Sequence, residues 1–462
     1  MSVIQTDVLV IGGGPGGYTA AIRSAQLGQK TLLVEKDKVG GTCLNRGCIP
    51  TKVYLKAAEL LHSIEKAPLF GIKIAGHELD LQALRQRKER VVDTLVAGVK
   101  SLLKANGVEL KSGTARFKND NTVIIDGQEE ITAQKIIIAT GSNNLELSIP
   151  GTELPGVLNS DEALELKEIP ESIAIIGGGV IGVEFAEFYA SLGVKVTILE
   201  ALPRILPLED AAISKELQKL YTSRGITIHA SSFVTEIRKA GSLKELLFET
   251  EGQKKTLQAE QVLVAVGRRA NIDSLALDNA GVTFDTKGIK VNENLQTTNP
   301  AIYAIGDVNG GIQLAHVAFY EGEKAAEHIA GKKIDLDYKV VPRCIFSNPE
   351  IASVGLTEEE AKEKGYALQI GVFPFRANGK ALLMDAAEGF MKIIAEKDYN
   401  EILGVHIIGP AASELIVEAA LALKLECTIE EIIETIHAHP TVGESYRETA
   451  MDVWGRAIHF KR

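Results

Sequence analysis

Two cysteines in the first part of the chain have the residue type and spacing for redox chemistry. Cys43 and Cys48 lie in the stretch Gly-Gly-Thr-Cys-Leu-Asn-Arg-Gly-Cys-Ile-Pro-Thr-Lys, residues 40–52. Pro50 stands where a helix could begin, and a helix N-terminus beside Cys48 would lower the pKa of its thiol. The thiolate is the form that takes part in thiol–disulfide exchange. The pair therefore predicts a redox-active centre, with two small buried hydrophobic residues as the alternative.

A metal site is a weaker interpretation of the same cysteines. Structural zinc needs two further ligands at a suitable spacing, and the chain has four cysteines in all. Cys344 and Cys427 are isolated from each other and from histidine clusters, so we expect them to be packing residues and expect no metal. So few cysteines also favour a reducing compartment over a disulfide framework.

Two glycine-rich segments form an internal repeat that could position this chemistry. Residues 12–17 read Gly-Gly-Gly-Pro-Gly-Gly and residues 177–182 read Gly-Gly-Gly-Val-Ile-Gly, each between an apolar strand-like run and a small-residue run. At the same spacing, each copy ends on a second strand-like run that closes with Glu35 or Glu200. Such a G-x-G-x-x-G segment predicts a dinucleotide site, because glycine permits a tight turn, close approach to a pyrophosphate and close helix packing. The fingerprint glycines are Gly12, Gly14 and Gly17 in the first copy and Gly177, Gly179 and Gly182 in the second.

The acid at the end of each copy indicates which nucleotide is bound. Glu35 and Glu200 would accept a hydrogen bond from an adenosine ribose hydroxyl, so Glu200 favours NAD over NADP in the second copy. Arg204 could in principle meet a 2′-phosphate, but with Glu200 present we expect it to be a solvated surface arginine.

The composition excludes several function classes. The net charge of −11, from 61 acidic and 50 basic side chains, gives no electrostatic reason to bind nucleic acid or an anionic membrane. No run reaches the roughly 18 apolar residues of a membrane span, and the start, residues 1–7, lacks the features of a signal peptide. We therefore expect a cytoplasmic protein that contacts neither nucleic acid nor membrane.

The repeat and the rest of the chain together predict a mainly α/β architecture. Each copy reads as a βαβ unit, with helices predicted over residues 18–27 and 183–192. From about Lys339 the sequence pattern changes to prolines between short β-like runs, which indicates a separate α+β domain. The other predicted elements are a surface helix over residues 81–104, small β insertions over residues 123–131 and 244–257, and an amphipathic helix over residues 411–425.

Both fingerprints and the cysteine stretch together resemble the flavoprotein disulfide reductases, and the resemblance runs along the whole chain. Further marks are Ala-Thr-Gly at 139–141, Gly-Arg-Arg at 267–269, Ala-Ile-Gly-Asp at 304–307 and His-Ala-His-Pro-Thr-Val-Gly-Glu at 437–444. The resemblance implies that the first fingerprint binds FAD and the second NAD. The implied FAD residues are Gly12, Gly14, Gly17, Glu35, Lys52, Gly113, Thr140, Gly141, Asp307 and Ala315, and the implied NAD residues are Gly177, Gly179, Gly182, Glu200 and Gly267.

The resemblance also implies roles for the catalytic residues. A substrate thiol would attack Cys43, and Cys48 would be left as a thiolate against the flavin. His439 would accept the thiol proton, with Glu444 orienting its ring and stabilising the imidazolium. The remaining implied pair is Lys52 with Glu184, near the flavin.

Within this family, the chain is most similar to members that oxidise protein-bound dihydrolipoamide with NAD as the shared oxidising component of 2-oxo acid dehydrogenase complexes. Glu200, the stretches 354–358 and 375–379 and the His-Ala-His-Pro-Thr form of the base motif carry that similarity. Two departures are Val-Gly at 442–443 in place of Leu-Ser, and Ala270 where proline is common, and neither removes a chemical group.

The resemblance implies an organisation and a set of partners. The implied partners are a second copy of the chain, in which His439 and Glu444 reach the disulfide of the other subunit, the lipoyl domain of an acyltransferase subunit and its peripheral-subunit-binding domain. The implied domains are residues 1–148 for FAD, 149–270 for NAD, 271–338 as a central domain completing the FAD site and 339–462 for dimerisation.

Three alternatives stay open. Another disulfide reductase would act on glutathione, trypanothione or mercury, but the first type is expected to carry arginines in place of Glu200 and the last a terminal cysteine pair. A soluble transhydrogenase shares both nucleotide sites and would not need the cysteines. A structural subunit docked on a 2-oxo acid dehydrogenase core would bind FAD without catalysis.

Overall fold

A computed structural model describes residues 3–165 and 167–461 of the chain. Met1 and Ser2, on which part of the signal-peptide expectation rests, lie outside the described residues, as do Leu166 and Arg462. Within the described ranges, no helix is both long enough and apolar enough to cross a membrane.

The first glycine segment lies in a seven-stranded sheet. Its buried apolar strands explain the runs seen in the sequence, because parallel strands covered on both faces need apolar side chains throughout. β1 pairs in parallel with β2 and β6, while β4 and β5 continue the sheet in antiparallel order. The elements are β1 (Val3–Ile11), α1 (Pro15–Gln26), β2 (Thr31–Glu35), α2 (Gly41–Arg46), α3 (Cys48–Lys66), α4 (Leu81–Ala105), β3 (Glu109–Ser112), β4 (Ala115–Phe117), β5 (Thr122–Ile125), β6 (Glu129–Ile138) and β7 (Ser142–Asn144).

The second glycine segment lies in a parallel five-stranded sheet of the same kind. The strand order is β11-β10-β9-β15-β8, with a separate antiparallel sheet of β12, β13 and β14 beside it and a short β7–β16 pair linking the two units. The elements are β8 (Val157–Leu158), α5 (Ser160–Ala163), β9 (Ser172–Ile176), α6 (Val180–Ser191), β10 (Lys195–Leu199), α7 (Ala211–Ser223), β11 (Thr227–His229), β12 (Ser232–Ala240), β13 (Leu243–Thr250), β14 (Gln253–Ala259), β15 (Gln261–Val264) and β16 (Arg268–Ala270).

The chain then returns to the first sheet before it enters the last one. β17 (Ile302–Ala304) pairs in parallel with the end of β6, and α8 (Ala315–Ile329) packs along α1. The last sheet is antiparallel, in the order β18-β19-β22-β21-β20. Its elements are β18 (Arg343–Ile345), β19 (Glu350–Gly355), α9 (Glu358–Glu363), β20 (Leu368–Pro374), α10 (Gly379–Leu383), β21 (Phe390–Glu396), β22 (Ile402–Gly409), α11 (Ala412–Lys424), α12 (Ile429–Glu434) and α13 (Glu444–Val453).

The observed elements differ from the predicted ones at the starts of both repeat helices and at residues 123–131. Both repeat helices begin three residues earlier than predicted, at Pro15 and Val180, because Gly14 and Gly179 are already their N-caps. In the first helix, Pro15 is also well suited to the first helical position. The β structure predicted over residues 123–131 is present, but it is not a separate insertion. Residues 122–125 form β5, and β6 runs without a break from Glu129 into the central strand, so both belong to the main sheet.

The units share a core, which fixes the helix that carries Cys48. Tyr54 and Leu55 of α3 lie in one apolar cluster with residues of α6 and with Ile345 of the last sheet. The rings of Tyr54 and Phe188 are stacked, with centroids 5.0 Å apart. α3 is therefore held against the second unit as well as the first.

Candidate functional site

One large cavity brings most of the predicted site residues together. Its volume is about 2130 Å³, more than twice the ~300–1,000 Å³ of common small-ligand pockets, which suits two dinucleotides better than one small molecule. The predicted residues that line it are Gly12, Gly14, Glu35, Cys43, Cys48, Lys52, Gly113, Thr140, Gly141, Gly179, Glu184, Gly267, Asp307 and Ala315. Gly17, Gly177, Gly182, Glu200, His439 and Glu444 are predicted residues that do not line it.

Cys43 and Cys48 face each other across a break between two helices. α2 ends at Arg46, Gly47 separates it from α3, and Cys48 is the first residue of α3. A side chain at Gly47 would place its Cβ 2.9 Å from the carbonyl oxygen of Thr42, so only glycine lets the two helices meet this closely. Both cysteines are free thiols in the structure and are hydrogen-bonded to each other.

The electrostatics of the pair distinguish its two members. The hydrogen bond from the Cys43 thiol, together with the positive charge of Lys52 and against the effect of burial, lowers the pKa of Cys48 to about 7. The same hydrogen bond, together with burial, raises the pKa of Cys43. Near neutral pH, Cys48 is thus the member that carries the negative charge.

Lys52 forms the predicted contact with Glu184. Its Nζ lies 2.8 Å from both carboxylate oxygens of Glu184, which is buried on α6. The backbone N–H of Phe346 donates to the same carboxylate at 3.1 Å, and Nζ lies 4.7 Å from the centre of the Phe346 ring. This arrangement holds a cation one helical turn from Cys48 and joins three parts of the chain.

The two glycine loops have the geometry of dinucleotide sites. Gly14 and Gly179 are the N-caps of α1 and α6, and neither helix is capped by a side chain among the described residues. A Cβ added at Gly179 would meet no atom within 4 Å, and one at Gly14 would come no closer than 3.8 Å. Open helix N-termini of this kind offer backbone N–H groups and a positive dipole to a pyrophosphate, so the residues present fit two dinucleotides.

The acids predicted to bind ribose also hold the glycine loops. Glu35 accepts hydrogen bonds from the N–H groups of Gly13 at 2.7 Å and Asp37 at 2.8 Å. Glu200 accepts from Gly178 at 2.5 Å and Leu202 at 2.7 Å. Each carboxylate therefore fixes its loop whether or not it also accepts from a ribose.

Asp307 lies in a polar network that sequence reasoning missed. The Ser142 hydroxyl donates to Asp307 at 2.5 Å, and the Arg268 Nε lies 2.8 Å from that hydroxyl. Arg268 Nη2 also lies 3.4 Å from the hydroxyl of Thr42, beside Cys43. The Gly-Arg-Arg stretch drew attention to Arg268 as a family mark, but only the fold shows which groups it joins.

His439 and Glu444 form a pair outside the cavity that contains the dithiol. Nδ1 of His439 lies 2.8 Å from a Glu444 oxygen, and the Thr441 N–H donates to the other oxygen at 3.0 Å. Burial opposes ionisation of Glu444, but these hydrogen bonds lower its pKa on balance. The His439 side chain is 78% exposed, so its Nε2 faces outward rather than into the cavity of its own chain.

A thiol pair within one cavity shared by two dinucleotide loops defines a nicotinamide-dependent disulfide oxidoreductase as a class. The chain belongs to the pyridine nucleotide-disulphide oxidoreductase family, whose main model matches residues 6–322 and whose dimerisation-domain model matches residues 341–450.

Particular relatives match over nearly the whole chain. A dihydrolipoyl dehydrogenase of Bacillus subtilis (strain 168) is 46% identical over 99% of both chains. A dihydrolipoyl dehydrogenase of Haloferax volcanii is 43% identical and covers 98% of this chain and 97% of its own. Among solved structures, the HOCl-induced flavoprotein disulfide reductase RclA from Escherichia coli superimposes with a TM-score of 0.87 at 30% identity, covering 96% of this chain and 99% of that one.

Proposed function

We propose that the chain oxidises dihydrolipoyl groups to lipoyl disulfides and reduces NAD⁺ to NADH, as its dihydrolipoyl dehydrogenase relatives are named for doing. The observation that carries the proposal is the Cys43–Cys48 pair in the cavity that both glycine loops line. Dihydrolipoamide and NAD⁺ give lipoamide, NADH and one proton, so two electrons must pass from a dithiol to a nicotinamide within that cavity.

The cofactors are FAD and NAD. Bound FAD supplies the two-electron chemistry that a thiol and a nicotinamide cannot perform together directly. We assign FAD to the first glycine loop and to Asp307, and NAD to the second loop. The corresponding domains are residues 1–148 with 271–338 for FAD and residues 149–270 for NAD, with residues 339–462 forming the dimerisation domain.

The cysteines carry the dithiol step in this scheme. A thiolate of the substrate attacks Sγ of Cys43 in the oxidised pair, the Cys43–Cys48 bond breaks, and its electron pair leaves on Cys48. The positive charge of Lys52 lowers the pKa of Cys48 and so makes Cys48 the better leaving group, because a thiolate of lower pKa departs faster. The second substrate thiol then attacks the mixed disulfide at the substrate sulfur, which releases the lipoyl disulfide and leaves both cysteines reduced.

Lys52 and Glu184 support that step. The Lys52 cation stabilises the Cys48 thiolate, and the two Glu184 oxygens hold Lys52 in place. Truncation of Glu184 would free Lys52, so both residues act on the same thiolate.

The acid–base group comes from a second copy of the chain. The dimerisation domain supports a homodimer, and His439 lies exposed within that domain. We assign to His439 of each subunit the acceptance of the substrate thiol proton at the dithiol of the other subunit. Glu444 fixes the Nδ1–H tautomer through its hydrogen bond, which leaves Nε2 free to take the proton.

The physiological substrate would be a lipoyl arm carried by another protein. A lipoyl domain of an acyltransferase subunit would present the arm, and a peripheral-subunit-binding domain would hold the enzyme on its complex. Both partners follow from the dihydrolipoyl dehydrogenase relatives and are part of the proposal.

A steady-state assay tests the reaction. Purified holoenzyme should form NADH with dihydrolipoamide and NAD⁺, and it should be far slower with NADP⁺ or with glutathione and NADPH. Cys43→Ser and Cys48→Ser should abolish turnover with FAD retained, while Cys427→Ser, which removes a partly buried thiol between α11 and α12, should keep it. Turnover by either active-site variant would overturn the dithiol mechanism.

Mixed dimers test the shared site. Cys43→Ser and His439→Gln homodimers should both be inactive, so they are co-expressed with two different tags and the heterodimer is isolated. If His439 acts across the interface, one of the two sites in the heterodimer is intact and about half of the wild-type activity returns. An inactive heterodimer would place the base within its own chain.

A further inference from the structure

Residues 201–210, here called the 201–210 segment, connect the second nucleotide loop to the dimerisation domain. At its start the segment is tied to the loop, because Glu200 accepts from Leu202 and the Leu206 N–H donates to the Gly178 carbonyl at 2.8 Å. The Ser214 hydroxyl also donates to the Ile205 carbonyl at 2.6 Å. A shift of the segment would therefore move the loop that carries Gly178.

The same segment forms part of the cavity wall. Its residues 206–209 line the cavity beside Gly179 and Glu184. Residues 206–209 therefore form a part of the cavity wall that lies outside the glycine loop itself.

At its other end, the segment is held by charges of the dimerisation domain. Within the described part of the chain, three ion pairs connect the 201–210 segment to the dimerisation domain. These pairs are Arg204 with Glu359 at 2.5 Å, Glu209 with Arg343 at 2.9 Å and Asp210 with Lys392 at 2.8 Å.

The Asp210–Lys392 pair is deeply buried on both sides, and in the second pair the carboxylate of Glu209 is deeply buried while Arg343 is 30% exposed. Glu209 is 3%, Asp210 1% and Lys392 4% exposed. The Ser353 hydroxyl donates to Glu209 at 2.5 Å and the Glu358 N–H donates to Asp210 at 3.1 Å. Lys392 also reaches Glu358 at 2.7 Å, so one buried cation is shared between two carboxylates.

Buried ion pairs give little net stability compared with apolar packing, because the loss of hydration offsets much of their attraction. Their geometric requirement is strict, however, so they can specify one relative position of the two elements that they join. Here they join the wall of the nicotinamide nucleotide site to four elements of the dimerisation domain: β18, β19, β21 and α9.

We propose that Glu209, Asp210, Arg343 and Lys392 are positioning residues for the NAD site, which set the 201–210 segment and with it the Gly178 loop in the conformation that binds the nucleotide. The proposal rests on the proposed function and deepens it. It makes the affinity for NAD depend on residues of the dimerisation domain that line no part of the glycine loop.

Lys392→Met tests the proposal, since methionine keeps most of the volume and removes the charge. The KM for NAD⁺ and the dissociation constant of NADH, measured by titration calorimetry, should rise about tenfold or more, as displaced positioning groups commonly cost that much. The rate at which dihydrolipoamide reduces the flavin in the absence of NAD⁺ should be unchanged, because the ion pairs of Lys392 involve neither the cysteines nor the His439–Glu444 pair. Lys392→Arg, which keeps the cation, should restore most of the NADH affinity.

A control with the same bidentate geometry at a more exposed pair is Lys111→Met. Lys111, 22% exposed, pairs with Glu129, 38% exposed, at 2.8 Å on the first sheet and has no connection to the 201–210 segment. NADH affinity should be unchanged in this variant. Equal losses in Lys111→Met and Lys392→Met would reduce the effect to general destabilisation and overturn the proposal.

If Lys392→Met does not fold, Asp210→Asn carries the test, because its amide keeps the shape and an acceptor for the Glu358 N–H. NADH affinity that is unchanged in a folded variant overturns the proposal, as does an equal fall in NADH affinity and in flavin reduction. NADH binding is measured without turnover, so a failure of the dihydrolipoamide assay in the unmodified enzyme would be seen separately.

Discussion

The two nucleotide units repeat each other beyond the glycine fingerprint. Gly12 and Gly177 have φ angles of +100° and +109°, and a Cβ at either would lie 2.4 Å from a carbonyl oxygen, that of Ala139 or Ala265. In each unit, the chain that follows the glutamate, Glu35 or Glu200, returns to the glycine loop in the same way. An apolar side chain, Val39 or Ile205, covers Gly13 or Gly178, and the next residue donates its N–H to that glycine's carbonyl.

The units differ in what the returning chain does next. In the first unit, Gly40 leads directly into α2 and the dithiol, and Glu35 lines the cavity. In the second, Leu206 leads through Glu209 and Asp210 to the dimerisation domain, and Glu200 is 7% exposed. The same loop geometry is thus followed by the dithiol in the first unit and by a connection to the dimerisation domain in the second.

Matched alanine substitutions at the third fingerprint glycine should give the largest effects. A Cβ at Gly17 would lie 1.8 Å from the Gly12 carbonyl oxygen, and one at Gly182 would lie 1.9 Å from that of Gly177. Gly17→Ala should yield protein without flavin, while Gly182→Ala should remain yellow and lose NAD-dependent turnover. Flavin absorbance per chain and NADH formation separate the two, and loss of flavin in both would break the assignment of one nucleotide to each unit.

The side chains that cover the loops provide the next test. Ile205→Ala should lower the free energy of unfolding by about 2–4 kcal/mol, since it leaves a cavity against Gly178, and should raise the KM for NAD⁺. Val39→Ala removes less volume from the equivalent place and should weaken retention of FAD instead. Denaturant titration gives the stabilities, and an effect of Val39→Ala on NAD rather than FAD would contradict the equivalence of the two positions.

Glutamine at the two acids should have a smaller effect that differs between the units. Each carboxylate accepts from two backbone N–H groups, and an amide nitrogen would face one of those donors, at a cost of about 1.5–3 kcal/mol. We expect Glu200→Gln to lose more stability than Glu35→Gln, because Glu200 is buried and water cannot replace the lost acceptor. Equal losses of melting temperature would show that the difference in exposure has no energetic consequence.

Low pH should affect the two nucleotide units differently, and this is the smallest of the expected effects. Burial opposes ionisation of Asp210, but His406 and Lys392 outweigh it and lower the pKa of Asp210. Its contribution to stability is therefore present above the unfolded pKa of about 3.9 and lost as the pH falls through the lower folded value. In the folded protein Asp210 stays ionised until the pH falls through that lower value, so NADH binding should weaken there before flavin is released, and Asp210→Asn should remove that difference. Loss of NADH and flavin at the same pH would contradict this order of release.

Much of the architecture could be predicted because it depends on local patterns. Two glycine fingerprints with a terminal acid require the strand–turn–helix geometry that the structure has, and Cys48 at the start of α3 follows from Pro50. The family resemblance supplied the Lys52–Glu184 contact, which spacing alone could not, because the two residues meet only when α3 packs on α6.

The remainder depends on contacts between distant parts of the chain. Val39 and Ile205 are equivalent in space but stand at different distances from Glu35 and Glu200, so sequence comparison of the repeats does not align them. Arg204 was expected to be a solvated arginine, yet it pairs with Glu359. The ion pairs of Glu209 and Asp210 leave no local signal at all, because charged residues before a helix are common at surfaces.

The pairing of β17 with β6 has a consequence for biosynthesis. The ribosome supplies β6 early, but β17, which covers its edge, emerges only after the entire second unit has been made. Until then an apolar parallel strand keeps an unpaired edge, a recognised site of misassembly. The first unit of the nascent chain therefore stays incomplete while the second unit can already fold. The second unit is then completed before the first, which reverses the order of synthesis. Nascent chains stalled before residue 302 should depend on chaperones.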